Sequence, residues 1–108
     1  MSLGAEQELF TRDFVKLLNK AFELGYEVRL GEVQRTVEQQ ELYVRTGRSK
    51  TMNSQHLKKL AADIHFIKDG VVSYPQVLGD YWESLSKVNR WGGNWKSFKD
   101  QPHFERFV

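Results

Sequence analysis

The stretch SQHLKKLAADIH, residues 54–65, decides how the whole chain is interpreted. It contains two side chains typical of metal ligands, His56 and Asp63, seven positions apart. The segment DQPHFE, residues 100–105, adds His103 forty residues after Asp63, together with further carboxylates. Two imidazoles and one carboxylate leave the fourth position of a tetrahedral zinc ion open, as hydrolysis at a metal requires. The sequence therefore predicts a small zinc hydrolase.

Length and composition set the outer limits of this interpretation. A chain of 108 residues predicts a single domain, 1–108, without a separate binding domain. The net charge of +2, without runs of like charge, argues against a nucleic-acid partner. The absence of cysteine excludes disulfides, thiolate zinc sites and a cysteine nucleophile. No apolar run approaches the ~20 residues of a membrane helix, and no signal peptide opens the chain, so we expect synthesis in the cytosol without membrane insertion.

Hydrophobic periodicity predicts three helices, over residues 5–24, 36–46 and 75–88. Thr36 can cap the second helix, and Gln39 follows at the spacing of a capping box. Alternating patterns predict strands over residues 26–35, 60–68, 71–73 and 103–107. We expect a two-residue turn at Asp69-Gly70 and a loop over residues 90–95. Helices and strands that do not alternate regularly predict an α+β fold with an antiparallel sheet.

The alternation within the 60–68 strand assigns its two faces. Asp63 and His65 share one face, side by side at a predicted cleft. The other face is predicted to be core and consists of Leu60, Ala62, Ile64 and Phe66.

Several polar side chains suit a hydrolytic site around these ligands. Asp100 lies three residues before His103 and is the best candidate for the acid/base that moves the proton of the attacking water. Glu105 shares a strand face with His103 and is the reserve candidate. Arg35 could bind a substrate carboxylate through two hydrogen bonds, and Ser54 could support the same group.

Aromatic residues near these segments have two possible roles. Tyr43, Trp91 and Trp95 could line the cleft, although for both tryptophans packing in the core is equally compatible with the sequence. Trp82 is expected in the core. A single histidine or arginine is more often structural or solvated than functional, so the interpretation depends on the combination of residues.

The combination resembles a known family. Ser54-x-His56-x-x-Lys59-x-Ala61-x-Asp63 is similar to the Ser-x-His-x-x-Gly-x-Ala-x-Asp signature of the D-alanyl-D-alanine carboxypeptidase family of zinc peptidases. That family also contains the L-alanyl-D-glutamate endopeptidases of bacteriophage endolysins. An upstream block, RTVEQQELY, and a downstream ending, WGGNW followed by DQPHFE, resemble the phage-type branch, so the resemblance spans roughly residues 26–107.

The resemblance implies one zinc ion on His56, Asp63 and His103, with Asp100 as catalytic acid/base. It implies Arg35 and Ser54 as substrate anchors, and the small fold shared with the Hedgehog signalling domain. The implied substrate is a peptide of bacterial peptidoglycan, cleaved as an L-Ala-D-Glu endopeptidase or a D-Ala-D-Ala carboxypeptidase would cleave it.

Three positions depart from or add to the family pattern. Lys59 replaces the signature glycine and is strained if the turn needs a positive φ there. Asp100 is one methylene shorter than the glutamate of many relatives. His65 is not required by the signature and would be a neighbour of Asp63 or a spectator. Gln39 is a further candidate at the cleft.

The family analogy also suggests a biological setting. We expect a monomeric phage or prophage endolysin that lacks a wall-binding domain, waits in the cytosol until a holin opens the membrane, and then degrades the cell wall. Two other hypotheses remain open at this stage. One is a non-catalytic zinc-binding module that recognises a partner, and the other is a metal-free interaction domain.

Overall fold

The structure, a computed structural model, describes residues 1–49 and 54–108. Within these ranges the chain forms three α-helices: α1 (Leu3–Glu23), α2 (Val37–Arg45) and α3 (Gln76–Leu85). The same ranges contain five strands: β1 (Glu27–Leu30), β2 (Ala61–Lys68), β3 (Val71–Ser73), β4 (Asn89–Trp91) and β5 (His103–Arg106). Short 3-10 turns cover Gln55–Lys58 and Gly92–Asn94. The α+β prediction is confirmed.

Strand β2 lies at the centre of one antiparallel sheet. The strand order is β1-β2-β5-β4, and β3 pairs with the far end of β2. In the β2–β5 ladder Asp63 stands directly opposite His103. Antiparallel neighbours in such positions have side chains on the same face of the sheet, so the register alone brings two residues forty positions apart into contact.

The core lies on the face of β2 that the alternation predicted. Leu60, Ala62, Ile64 and Phe66 are each no more than 1% exposed. Helices α1 and α3 cover this face, and the rings of Phe10 and Trp82 meet edge-on with centroids 5.6 Å apart. Edge-to-face geometry at this separation is favourable for aromatic pairs. The opposite face of β2 therefore remains available for polar chemistry.

Local sequence signals account for several element boundaries. The Thr36 hydroxyl accepts a hydrogen bond from the Gln39 amide at 3.1 Å and caps α2. Asp69 and Gly70 have φ values of 53° and 77°, as a tight turn between β2 and β3 requires. Pro75 immediately precedes α3 and has an extended backbone conformation.

Three predictions were wrong by more than the one or two residues by which the ends of elements commonly differ. Strand β1 ends at Leu30 and not at residue 35, because both Gly31 and Glu32 then bond to the one residue Asp63: the Gly31 amide donates to its carbonyl at 2.7 Å, and the Glu32 carbonyl accepts from its amide at 2.8 Å. Helix α3 ends at Leu85, since Ser86 adopts extended backbone. The predicted 90–95 loop begins as β4.

Trp91 at the end of β4 explains a glycine inside α3. Its ring lies so close to the helix that a Cβ on Gly79 would stand 2.1 Å from the ring. Trp91 is 2% exposed and its indole N–H donates to the Gln101 carbonyl at 2.8 Å. The side chain therefore belongs to the core, and the position of Gly79 is explained by this contact.

Candidate metal centre

Three side chains from three elements converge on one point beside the sheet. His56 comes from the 3-10 turn before β2, Asp63 from β2 and His103 from β5. His56 Nε2 lies 3.1 Å from His103 Nδ1 and 3.3 Å from Asp63 Oδ1. His103 Nδ1 lies 3.7 Å from Asp63 Oδ1. These atoms form a compact triangle of possible ligands.

The size of the triangle fits a tetrahedral zinc ion. Bonds of about 2.0–2.1 Å from zinc to nitrogen or oxygen place the ligand atoms roughly 3.3–3.4 Å apart. The three measured separations lie on both sides of this value. Asp63 Oδ1 is buried and accepts no hydrogen bond from any residue in the described ranges. A buried acceptor without a donor is costly, and a cation at this point would remove that cost.

The outer nitrogen of His56 is fixed by the backbone. Its Nδ1 lies 3.0 Å from the Val33 carbonyl oxygen, which can only accept, so Nδ1 carries the hydrogen. The lone pair is then on Nε2, which faces Asp63 and His103. Imidazoles that bind metals commonly donate their second N–H to a carbonyl or a carboxylate.

His103 is oriented in the same way by a carboxylate. Its Nε2 lies 2.6 Å from Glu105 Oε1, and both side chains are buried. Glu105 therefore accepts the Nε2 hydrogen and leaves Nδ1 directed at the triangle. Glu105 thus contacts the ring nitrogen of His103 that faces away from the triangle, whereas the sequence suggested Glu105 as the reserve acid/base.

The electrostatics of the metal-free site follow from this packing. Burial would raise the pKa of Asp63, but the imidazoles of His103 and His56 outweigh it and hold that pKa well below its usual range. Burial would lower the pKa of His103, but Asp63 and Glu105 raise it to about 9. Without a metal the proton therefore stays on His103 at neutral pH.

Asp100 stands beside the triangle without being part of it. Its Oδ2 lies 4.0 Å from His103 Nδ1, and the side chain is about half exposed. Partial burial raises the pKa of Asp100 above its ordinary value. Gly92 allows this placement, because a Cβ there would stand 2.2 Å from the Asp100 carbonyl oxygen. The Asp100 amide in turn donates to the Gly92 carbonyl at 3.0 Å.

Arg35 is the centre of a hydrogen-bond network on one wall. Its Nε donates to Glu32, and its Nη1 donates to Gln40 Oε1 at 2.7 Å and to Ser54 Oγ at 3.4 Å. The phenol of Tyr43 donates to Glu32 Oε2 at 3.1 Å. Burial, followed by the hydrogen bond and charge of Glu32, raises the pKa of Tyr43.

The metal triangle lies in an open cavity of about 610 Å³. The Arg35 network forms part of one wall, and Trp95 lies with its ring 5.2 Å from that of His103. The remaining lining includes Arg48, Arg90, Phe98, Lys99 and Phe107. Of the residues proposed from the sequence, the cavity lining contains Arg35, Tyr43, Ser54, His56, Asp63, Trp95, Asp100, His103 and Glu105.

Three residues suggested for the cleft lie elsewhere. His65 is not among the residues that line the cavity, and its Nδ1 lies 2.7 Å from the Tyr74 hydroxyl. Trp91 is in the core, as described above. Gln39 supplies the capped amide of α2, while its neighbour Gln40 is fully buried and bonds to Arg35.

Sequence reasoning missed Glu32, Gln40 and Arg48. Glu32 lies three residues before Arg35 but outside any helix, so helical spacing gave no signal of their pairing. Gln40 lies three residues before Tyr43 and therefore on the same face of α2. The helical spacing of Gln40 and Tyr43 was the local signal for the network around Arg35.

In residues 1–49 and 54–108, no helix combines the length and the apolarity needed to span a bilayer.

The chain is similar to known peptidases in sequence and in fold. Residues 47–106, more than half of the chain, match the model of the D-alanyl-D-alanine carboxypeptidase family. A curated L-alanyl-D-glutamate peptidase of Listeria phage A118 is 36% identical over 95 residues, covering 83% of this chain and 34% of the relative. The chain thus spans about a third of that relative's length.

A solved structure is similar over most of both chains. The Serratia marcescens L-Ala D-Glu endopeptidase ChiX is 29% identical, with a TM-score of 0.67 over 88% of this chain and 78% of its own. The sequence match and the shared fold lead to one conclusion: the chain belongs to the D-alanyl-D-alanine carboxypeptidase family of peptidases.

Proposed function

We propose that the chain is a zinc endopeptidase that cleaves the L-Ala–D-Glu bond of bacterial peptidoglycan. The observation that carries this proposal is the triangle of His56, Asp63 and His103 in an open cavity with Asp100 beside it. The choice of bond is supported by two similar proteins, whose names both specify L-Ala and D-Glu. We favour it over the carboxypeptidase alternative for this reason.

Zinc is the metal that the donor set favours. Two imidazoles, one carboxylate and an open fourth position are typical of catalytic zinc sites. A zinc ion bound there supplies a Lewis acid for the scissile carbonyl and lowers the pKa of an attacking water. Val33 and Glu105 hold the two imidazoles in the orientation that such binding needs.

Asp100 is the proposed acid/base. A carboxylate near the metal can accept the proton of the attacking water and then return it to the departing amine nitrogen. The partial burial that raises the pKa of Asp100 favours the first of these steps, because a carboxylate with a raised pKa is a stronger proton acceptor. Gly92 keeps the Asp100 backbone close to the site.

Arg35 and Ser54 are the proposed contacts for the substrate backbone. Both line the cavity beside His56, and the network of Glu32 and Gln40 keeps Arg35 in a single orientation. Such preorganisation limits the entropy lost when a flexible peptide binds.

The proposed setting is the lysis of a bacterial cell by a phage or prophage. The curated phage peptidase supports this setting. In this proposal the monomeric protein reaches the cell wall from the cytosol after a holin opens the membrane. Its target there is the stem peptide.

The test is digestion of a defined muropeptide with zinc-loaded protein, followed by mass analysis of the fragments. We expect a new fragment that begins with the amino group of D-Glu. Release of terminal D-Ala instead would identify a carboxypeptidase. His56→Ala protein should release neither product, and full activity in that variant would contradict the zinc mechanism.

A second variant separates the enzyme from a non-catalytic zinc-binding module. Asp100→Asn removes the proton acceptor but none of the three proposed ligands. We expect this variant to bind one zinc ion per chain and to lose turnover by about 100-fold or more. A module that only recognises a partner would show no turnover in the wild type and no change in partner binding in the variant.

A further inference from the structure

We propose that Arg48 binds the free carboxylate of the substrate's glutamyl residue and thereby makes the enzyme prefer D-Glu to its amide. This inference rests on the proposed L-Ala–D-Glu cleavage. It assigns the recognition of the substrate charge to a residue on the cavity wall that the sequence motifs do not include.

The chemistry of the substrate requires such a partner. A glutamyl residue carries two carboxyl groups, and at most one of them continues the peptide chain. The other is an anion on the amine side of the scissile bond, one residue from the reacting carbonyl. Burying this anion against the cavity wall without a cationic partner would be costly, so an enzyme that accepts D-Glu needs a cation within its cleft.

Arg35 is poorly placed to be that cation, because its charge is already compensated. Its Nε is paired with the Glu32 carboxylate, and its Nη1 is bonded to Gln40 and Ser54. A substrate carboxylate at Arg35 would stand next to Glu32 and be repelled by it. Arg35 therefore fits a contact with neutral peptide groups better than a contact with an anion.

Arg48 lies on the same wall with its charge uncompensated. Its guanidinium carbon is 5.0 Å from the centroid of the Tyr43 ring, which also contacts Arg35. Its backbone amide donates to the Tyr43 carbonyl at 2.8 Å, so the residue is anchored at its main chain. Arg48 lines the cavity, and no carboxylate in residues 1–49 or 54–108 forms an ion pair with it.

Two other cations line the cavity and provide the comparison. Arg90 lies over the Phe107 ring at 3.9 Å and stands opposite Glu105 in the β4–β5 register. Lys99 offers a single ammonium, whereas a guanidinium can bind a carboxylate through two parallel hydrogen bonds. Arg48 combines the bidentate group with a position beside the Arg35 network.

The experiment compares two peptides that differ only in one group. The first contains L-Ala–D-Glu with a free carboxylate, and the second carries the amide at that position. Losing a charged hydrogen bond of this kind should lower kcat/KM by about 10- to 100-fold. We expect wild-type kcat/KM to favour the acid by this factor. Arg48→Gln should lose the preference by slowing only the acid, while Arg48→Lys should retain part of it.

Arg45→Gln is the matched control, since Arg45 is an exposed arginine in the last turn of α2 that does not line the cavity. It should keep the wild-type preference. Zinc content and near-ultraviolet circular dichroism should be unchanged in Arg48→Gln protein, which excludes misfolding as the cause.

The possible failures are distinguishable. Wild-type protein that cleaves both peptides, with Arg48→Gln showing the same preference, would overturn this assignment and leave the proposed function intact. Loss of the preference in Arg90→Gln or Lys99→Gln, with Arg48→Gln unaffected, would overturn it as well. Wild-type protein that cleaves neither peptide would overturn the proposed function together with this inference.

Discussion

Glu105 Oε1 lies 2.6 Å from His103 Nε2, and this contact determines which ring nitrogen faces the candidate metal centre. Because the carboxylate accepts the Nε2 hydrogen, the lone pair of the neutral ring is on Nδ1. That atom is 3.1 Å from His56 Nε2. Buried Glu105 thus orients His103 for metal binding. Its removal should lower the affinity for zinc more than it lowers the stability of the fold.

Glu105→Gln should lower zinc affinity by about 10- to 100-fold, the usual effect of losing a carboxylate behind a metal-binding histidine. The amide is nearly the same size but carries no charge, so the packing of β5 is retained. Competition with a chromophoric chelator measures the change. Glu8→Gln, on the exposed face of α1, is the control and should have no effect. Equal affinities for the two variants would contradict the role given to Glu105.

Zinc binding should release about one proton per chain near neutral pH. In the metal-free protein His103 holds its proton because Asp63 and Glu105 raise its pKa to about 9. The metal needs the neutral ring, so apparent affinity should rise with pH up to about 9 and then level off. Calorimetric titrations in buffers of different ionisation enthalpy count the released protons. A value near zero at pH 7.5 would show that His103 is already neutral.

Lys59→Gly should stabilise the protein by about 0.5–1 kcal/mol, because Lys59 has φ 57° and ψ 38°, a left-handed conformation that costs a side chain roughly 1–2 kcal/mol. The residue is exposed, so little packing is lost. Urea denaturation measures the difference. Lys58→Gly is the control and should be destabilising, since Lys58 lies within the preceding 3-10 turn. A destabilised Lys59→Gly protein would contradict the assignment of strain.

Gly92→Ala should reduce turnover by about 100-fold, as misplacement of a catalytic group by about 1 Å commonly does. The new methyl would stand 2.2 Å from the Asp100 carbonyl oxygen and 3.1 Å from its Cβ, so the two segments must separate. Zinc affinity should remain within a few-fold, since Asp100 is not among the proposed ligands. Gly4→Ala, at an open position on α1, should change neither quantity. A parallel loss of zinc would mean that the whole site had been distorted.

Local patterns were sufficient where one element determines the outcome. The alternation of β2 identified its buried face from Leu60 to Phe66, and the hydroxyl of Thr36 predicted the start of α2. The alternation of β5 placed Glu105 on the side of His103, where the structure has it. These features depend on side chains one to three residues apart, which is the range that periodicity describes.

Contacts between distant segments were less accessible to sequence reasoning. His65 shares a strand face with Asp63, but the Cα atoms of the two residues are about 7 Å apart along the strand. The His65 imidazole contacts the Tyr74 hydroxyl instead. The sequence suggested Gln39 at the cleft, but its amide donates to Thr36 at the start of α2. Gln40, which shares a helix face with Tyr43, is the inward residue, because α2 packs against Arg35 through it.

The most direct measurement of the central claim is anomalous diffraction at the zinc absorption edge from crystals of the zinc-loaded protein. We expect one peak, at about 2.0–2.2 Å from His56 Nε2, His103 Nδ1 and a carboxylate oxygen of Asp63. A map with no peak between these three atoms, or with zinc held by other side chains, would contradict the account.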